Sequence, residues 1–245
     1  MSRLTSAVAW IVVLGSGWAA ILNAQDFQKT YQLSPGGVIK IGNISGDIRV
    51  AAYDGAGVVV TATKVGSDRD RISIEDASME DRIEIKVRYP QGGTGDASVE
   101  FEVKVPRSTK YNFEKLYSVS GSISVSGVAA QMRAETVSGN VDVLDVSGVV
   151  SASTVSGNIT VEIRKVDGGD MRFRSVSGNV NVKAPPNLDA DVEMSTISGG
   201  LKTDFPIEVT EPRYGPGRSA KGRIGSGARN LHIRSVSGRV SLLKL

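Results

Sequence analysis

The chain has 245 residues, a formal net charge of +3, 40% hydrophobic residues and 22% charged residues, which is typical of a globular protein and excludes an intrinsically disordered one. Its 28 glycines are far fewer than the one-third that a collagen triple helix requires. Because the sequence contains no cysteine, disulfides, thiolate metal sites and cysteine nucleophiles are excluded. The abundance of valine, serine and glycine favours strands and tight turns over helices.

Residues 1–24 have the pattern of a secretory signal peptide. Arg3 precedes an apolar run over residues 7–22, and Ala24 precedes a polar stretch. With 16 residues, the run is shorter than the ~18–20 residues that span a bilayer comfortably. We therefore predict cleavage after Ala24, with Ala20 as an alternative site, and no transmembrane span in the mature protein, which would begin at Gln25. The expected location is the periplasm, the cell surface or the extracellular medium.

Residues 25–115 form the less regular half of the mature chain. Residues 58–64, 83–89 and 99–105 alternate apolar and polar side chains and are predicted to be half-buried strands. A glycine-containing turn is predicted at residues 92–95, and the charged residues 68–81 are interpreted as a solvated loop or an edge. We interpret residues 25–115 as a β-rich N-terminal part that holds the first coil of a repeat and caps the coils that follow.

A six-residue phrase with Val or Ile, Ser and Gly at its centre recurs seven times. The copies lie at residues 43–48, 118–123, 136–141, 154–159, 175–180, 196–201 and 235–240. From Gly121 onward the repeated glycines are 18, 18, 21, 21 and 39 residues apart. A period near 20 residues is the signature of a stacked repeat architecture.

Aligning the copies gives two columns of strands with period-2 alternation, so each coil has one apolar face. Because one coil of about 20 residues cannot bury that face alone, stacked coils are expected to bury a continuous one. The predicted fold is all-β: a parallel β-helix, or β-solenoid, with 18–21-residue coils over residues 116–245. Asn140, Asn158 and Asn179 follow the repeated glycine and are predicted to form a side-chain ladder.

These residues resemble a known family. The Val-Ser-Gly-Asn-Val phrases, residues 48–55 and the closing residues 222–242 are similar to the bacterial putative-adhesin repeat family, an exported group of unknown function. The resemblance covers nearly all of the mature chain, most strongly from Val99 onward. It implies a right-handed β-helix and supplies no catalytic residues.

The sequence contains no clear motif for nucleotide binding, metal binding or catalysis. Residues 217–224 lack the Lys-Ser/Thr pair of a phosphate-binding loop, and the single histidine, His232, cannot build a multi-histidine zinc site. In the outward column before the corner, Glu135 and Glu193 are three coils apart along the sequence, ~14 Å at the spacing of adjacent strands and too far for a glycosidase pair. We predict no catalytic, cofactor-binding or metal-binding residues. A carbohydrate-active β-helix enzyme, either a polysaccharide lyase or a hydrolase, remains the alternative.

Residues 212–230 carry five basic residues and no acid. Their glycines and prolines predict a basic Gly-rich loop that leaves the solenoid within the longest repeat interval. Arg213, Arg218 and Lys221 are the candidate site, with an anionic polysaccharide or lipid headgroups as the partner. Nucleic acid is not expected, because the local positive charge is the only feature that favours it and the segment contains a single aromatic residue, Tyr214, where stacking of successive bases needs several. The predicted function is a non-catalytic adhesion, binding or scaffold surface in the cell envelope.

Overall fold

The computed structural model describes residues 26–90, 95–210 and 216–245. The predicted signal peptide and most of the predicted turn at residues 92–95 lie outside these ranges. Within them the protein is built from strands and one short 3-10 helix, Arg69–Arg71.

The strands are β1 (Phe27–Tyr31), β2 (Val38–Gly42), β3 (Ile48–Tyr53), β4 (Val58–Val65), β5 (Ser73–Asp76), β6 (Arg82–Arg88), β7 (Ser98–Pro106), β8 (Tyr111–Ser120), β9 (Ile123–Ser126), β10 (Ala129–Ser138), β11 (Val141–Ser156), β12 (Ile159–Lys165), β13 (Met171–Ser177), β14 (Val180–Ala184), β15 (Ala190–Ser198), β16 (Leu201–Thr203), β17 (Glu208–Thr210), β18 (Arg218–Ile224), β19 (Asn230–Ser237) and β20 (Val240–Lys244).

The strands form two hydrogen-bonded ladders that meet at the Ser-Gly phrase, which we call the corner. Ladder A holds the strands before the corner, in the order β5-β6-β2-β8-β10-β11-β13-β19-β15-β18-β17. Ladder B holds those after it, in the order β1-β4-β7-β3-β9-β11-β12-β14-β20-β16. The long strand β11 contributes its first half to ladder B and its second half to ladder A. One coil is therefore a ladder A strand, a corner and a ladder B strand.

The inward side chains of both ladders build one apolar core. On ladder A, Ala152 lies opposite Phe173, which lies opposite Ile233, and all three are buried. On ladder B, Ile159 lies opposite Val180 in the same way. The alternation of inward and outward side chains predicted for the two strand columns is confirmed. Leu201 and Thr203, at the end of ladder B, occupy inward positions of the pattern but are only partly buried.

The corner repeats because each coil needs the same contacts with the next one. The hydroxyl at the first position of the phrase is buried and donates a hydrogen bond to the glycine carbonyl of the neighbouring coil, as Thr154 does to Gly139 at 3.0 Å. Gly157 has a φ of +154°, and a Cβ atom there would lie 2.0 Å from the Gly139 carbonyl oxygen. Any side chain at this position would therefore push the coils apart.

The predicted asparagine ladder is present and runs from side chain to backbone. The Asn140 Oδ1 atom accepts a hydrogen bond from the Asn158 backbone N–H, and the Asn158 Oδ1 atom accepts one from Asn179. Asn179 continues the ladder to the backbone of Arg239. The side chain after each corner thus satisfies a backbone donor of the next coil, which would otherwise be left without a partner.

The coils do not stack in the order of the sequence. The final coil, β19 and β20, lies between the coil of β13 and β14 and the coil of β15 and β16. If the coils stacked in the order of the sequence, Val180 would lie between Ile159 and Leu201. Val180 instead lies between Ile159 and Val240, so this sequence-based expectation is wrong. The opposite end has a similar exchange, because β2 and β3 lie between β6 and β7 on one side and β8 and β9 on the other.

Both ends of the stack carry antiparallel strands, so the sheet is mixed. At the N-terminal end, β4 pairs with β7, β1 with β4, and β5 with β6. At the other end, β18 pairs with β15 and β17 pairs with β18. The prediction of a loop over residues 212–230 is therefore wrong for residues 218–224. The physical reason is that the open edge of β15 offers unpaired backbone groups, while Ala220 and Ile224 supply the inward apolar side chains.

Candidate functional site

The outward side of ladder A differs from coil to coil, unlike the corner. Two rows of side chains cross the adjacent strands β11, β13, β19 and β15. The first row is Ser151, Arg172, His232 and Glu193, and the second is Ser153, Arg174, Arg234 and Ser195. Neighbours within a row are one strand spacing apart, ~4.8 Å, and the rows are two residues apart, ~6.8 Å. Because β19 lies between β13 and β15, two strands with outward arginines, β13 and β19, are adjacent.

Three exposed arginines form the centre of this surface, and we name Arg172, Arg174 and Arg234 the arginine cluster. Within the described ranges, none of their guanidinium groups forms an ion pair or a hydrogen bond. Asp170, which lines the larger depression together with Arg172 and Arg174, has its pKa lowered chiefly by hydrogen bonds from Asn230 and more weakly by the charges of His232 and Arg172. The cluster is therefore a local excess of positive charge.

The charges on both sides of the arginine cluster are paired. Toward the N-terminal end, Glu135 forms ion pairs with Arg133 at 2.6 Å and with Lys115 at 3.3 Å. Burial alone would raise the pKa of Glu135, but these two cations outweigh it and the pKa is lowered.

Toward the end of the stack that β15, β18 and β17 form, Lys221 lies 2.8 Å from Glu193 and Arg223 lies 2.7 Å from Asp191. The Lys221 ammonium lowers the pKa of Glu193, and the neighbouring His232, whose Nδ1 atom is 3.4 Å from Glu193 Oε2, adds to this effect. The unpaired charge is thus confined to the middle of the face.

Two depressions adjoin the arginine cluster. The larger, about 670 Å³, extends over β8, β10, β11 and β13 and includes Asn112, Gln131, Ser151, Arg172 and Arg174 in its lining. The smaller, about 180 Å³, lies over β13, β19 and β15, where Arg174, Arg234 and Ser195 line it. Both expose hydrogen-bonding side chains, but the larger depression also contains the carboxylates of Glu114, Glu135 and Asp170. The smaller one contains all three arginines and a single carboxylate, Glu193, so a polar, negatively charged group fits best at the arginine cluster.

The comparisons with known proteins bear on this architecture. A family model described as Toastrack DUF4097 matches residues 37–243. The chain belongs to this Toastrack family. The match confirms the family resemblance drawn from the repeated phrases. No curated protein gives a significant sequence match.

Two solved structures are similar to this Toastrack chain. One is described as a putative cell adhesion protein from Clostridium sporogenes ATCC 15579, with 9% identity and a TM-score of 0.47, covering 89% of this chain and 99% of that one. The other is described as a putative adhesin from Bacteroides fragilis NCTC 9343, with 11% identity and a TM-score of 0.32, covering 89% of this chain and 96% of that one.

The two described residues of the predicted site, Arg218 and Lys221, do not form a common surface. Arg213 lies outside the described residues. Arg218 and Lys221 are three residues apart on β18, so their side chains leave opposite faces of the strand. Arg218 donates to the Gly199 carbonyl oxygen at 3.1 Å, and Lys221 is paired with Glu193. These contacts hold both side chains at the end of the stack that β15, β18 and β17 form.

Sequence reasoning places the arginines of the cluster on the outward face but misses that they are neighbours. In sequence order, the strand that carries Glu193 follows the one that carries Arg174, so the sequence predicts an acid beside the arginines. No signal in the sequence reveals the exchange, because all copies of the corner phrase have the same stacking contacts.

The acids of the outward face do not form a catalytic pair. Glu135 and Glu193 are four strand spacings apart, ~19 Å, and not the three expected from the sequence. A glycosidase pair requires ~5–9.5 Å. Within the described ranges, no group of three or more histidine, aspartate or glutamate side chains is arranged to hold a metal ion. The same ranges contain no helix long and apolar enough to cross a bilayer.

Proposed function

We propose that the protein is an exported, non-catalytic β-solenoid that binds an acidic polysaccharide of the cell envelope through the arginine cluster and so acts in adhesion or as a scaffold. The observation that carries this proposal is that three exposed arginines lie side by side on a face whose flanking charges are paired. Like charges on adjacent strands repel and destabilise a sheet. A bound anion offsets this repulsion.

A polysaccharide fits the surroundings of the cluster better than a lipid surface does. The larger depression presents Asn112, Gln131 and Ser151 next to Arg172. Amide and hydroxyl groups of this kind hydrogen-bond to sugar hydroxyls, whereas membrane-surface elements carry a broad apolar face beside their basic residues. The depression also continues away from the arginine cluster, as a chain of linked sugars requires.

Export rests on the signal-peptide pattern of residues 1–24, and it places the domain where envelope polysaccharides occur. The mature protein would act in the periplasm, on the cell surface or after secretion. N-terminal sequencing of the protein recovered from outside the cytoplasm tests this, and a chain that retains Met1 contradicts it.

The solenoid form suits a binding surface because it displays one outward face over many coils. The parallel pairing of the central coils supports this description. We propose that the coil is right-handed, since crossovers between parallel strands of one sheet are right-handed in ~98% of cases.

The test compares two triple variants that remove the same charge. The cluster variant is Arg172→Gln/Arg174→Gln/Arg234→Gln. The control, Arg49→Gln/Arg164→Gln/Arg223→Gln, removes three arginines that lie outside both depressions and are paired with Asp47, Asp145 and Asp191. The measurement is retention of the exported protein on immobilised acidic polysaccharide between 0.01 M and 0.15 M salt, over which the Debye length falls from ~30 Å to ~8 Å.

We expect the cluster variant to lose at least tenfold in affinity at low salt, with the control close to the parent and all melting temperatures similar. Equal losses in both variants would mean that only net charge matters and would overturn the proposal. Binding to vesicles of anionic phospholipid without binding to polysaccharide would overturn the choice of partner.

A further inference from the structure

The second row of the outward face, Ser153, Arg174, Arg234 and Ser195, is named the arginine row. Arg174 and Arg234 are direct partners in the ladder register, and a serine lies one strand beyond each of them. The two guanidinium groups supply ten N–H donors, and the serines add two hydroxyl donors. The arginine row therefore places donors from four adjacent strands along a line of ~14 Å, with the two arginines at its centre.

We propose that the arginine row binds the sulfate or phosphate monoester groups of an acidic polysaccharide in preference to its carboxylates, an inference that rests on the proposed function. A carboxylate has two oxygens in one plane, and the fork of a single arginine satisfies both. A sulfate or phosphate monoester has three terminal oxygens that do not share a plane. It accepts hydrogen bonds from both arginines and from a serine at the same time.

The surroundings of the arginine row support a single compact group. The smaller depression, about 180 Å³, lies over β13, β19 and β15 and is lined by both arginines of the row and by Ser195, with Arg172, His232 and Glu193 of the first row at its other side. It has room for one ester group, while the larger depression, about 670 Å³, lies beside it along the stack. The sugar ring that carries the ester therefore has a surface to lie on.

The adjoining row explains why the site is in the second row and not in the first. There, Arg172 has His232 as its neighbour, and His232 contacts Glu193 at 3.4 Å. A negative side chain at this point competes with an anionic ligand. In the arginine row the corresponding residue is Ser195, whose hydroxyl can donate a hydrogen bond and carries no charge. Glu193 lines the same depression, but its carboxylate is paired with Lys221 at 2.8 Å.

The test uses dextran sulfate and carboxymethyl dextran of equal charge density, with phosphorylated dextran as a third probe, and isothermal titration calorimetry of the exported protein. We expect at least tenfold tighter binding of dextran sulfate than of carboxymethyl dextran. The phosphorylated probe shows which of the two esters is the better ligand. Equal affinities for all three probes would overturn the inference and leave the proposed function intact. Binding to none of them would remove both.

Matched variants separate the geometry of the arginine row from its charge. Arg174→Lys/Arg234→Lys keeps both charges but loses the planar forks, so we expect the ratio of dextran sulfate affinity to carboxymethyl dextran affinity to fall below threefold. Ser153→Ala/Ser195→Ala should reduce the preference by a smaller factor. Arg223→Lys is the control, because Arg223 is on the same face but is paired with Asp191 and lines neither depression. An unchanged preference in the double lysine variant contradicts the role of the arginine row.

Discussion

The corner and the outward face of ladder A are built from the same coils but follow different rules. At the corner all copies keep the glycine, six of the seven keep the hydroxyl and six keep a polar residue after the glycine, because these positions contact the next coil. On the outward face the residues change from coil to coil, and charges are paired at both ends but unpaired at Arg172, Arg174 and Arg234. Repetition thus marks what holds the stack together, and departure from it marks what the stack presents to a partner.

If the interior of the stack tolerates substitution as poorly as the corner, a charged side chain at an inward position will cause the largest loss of stability. Val180 is fully buried between Ile159 and Val240, whereas the adjacent Asn181 faces outward and is only partly buried. Val180→Asp buries a carboxylate without a partner, which removes several kcal/mol from a stability of ~5–15 kcal/mol. Asn181→Asp should change it by less than ~0.5 kcal/mol. Thermal unfolding of both variants checks the register, and similar melting temperatures would show it to be wrong.

The second prediction tests whether the corner glycine is required by contact between coils. A Cβ atom at Gly157 meets the Gly139 carbonyl oxygen at 2.0 Å, and backbone cannot move aside as a side chain can. We expect Gly157→Ala to lower the free energy of unfolding by at least the ~1–3 kcal/mol of an overpacked core.

Gly168 is the matched control for this variant, because it also has a positive φ, +77°, but a Cβ atom there would have no neighbouring atom within 4 Å. Gly168→Ala should therefore show only the ~1–2 kcal/mol that a left-handed conformation costs. Chemical denaturation measures both. An equal loss would mean that backbone conformation, and not coil contact, selects glycine at the corner.

The third prediction concerns the buried hydroxyl of the corner. Thr154→Val keeps the shape and the β-branching but leaves the Gly139 carbonyl oxygen without its hydrogen bond of 3.0 Å. We expect a loss of about 1 kcal/mol, as for a typical intramolecular hydrogen bond. Thr160→Val on β12 is the control, because Thr160 faces outward. A loss no greater than that of the control would show that the hydroxyl ladder is dispensable.

The repeated positions can be predicted from the sequence, and the arrangement of the site cannot. Alternation identifies inward residues such as Val143 and Phe173, because strand geometry alone fixes which side chains share a face. The order of the coils depends on which copy stacks on which. Since the copies carry similar corner phrases, any two coils make similar contacts. The local sequence therefore does not indicate that Arg174 is paired with Arg234 and not with Ser195.

The composition of residues 212–230 is informative about charge but misleading about structure. Gly222 is typical of a loop by residue type, yet a Cβ atom there would lie 2.0 Å from Ile207 Cγ2, so the glycine lets the strand lie close against its neighbour. Arg223 and Lys221 face Asp191 and Glu193 across the strand pair. Their positive charge, which suggests a binding loop in the sequence, instead neutralises the end of ladder A.

The last and smallest effect concerns the paired charges at the N-terminal end of ladder A. The ammonium groups of Lys86 and Lys40 lower the pKa of the Glu84 carboxyl from its ordinary value of 4.5 to about 2. Because the folded-state pKa lies below the unfolded value, this stabilisation is complete above about pH 4.5 and is lost as the pH falls toward 2. Ion pairs with partly exposed lysines contribute ~0.2–1 kcal/mol, so Glu84→Gln should lower the stability at pH 7 by no more than this.

The distinguishing result is the dependence of stability on pH. Between pH 4.5 and pH 2 the Glu84→Gln variant should lose less stability than the parent, because it has already lost the carboxylate that protonation removes. Glu102→Gln is the control, since Glu102 on β7 contacts a single cation, Lys104, at 3.2 Å and is itself more exposed. Melting temperatures of the three proteins across this range measure the difference. Parallel curves for the parent and the Glu84→Gln variant would mean that this end of the face is held by its backbone ladder alone, and its charges would then be as free to bind a partner as those of the arginine cluster.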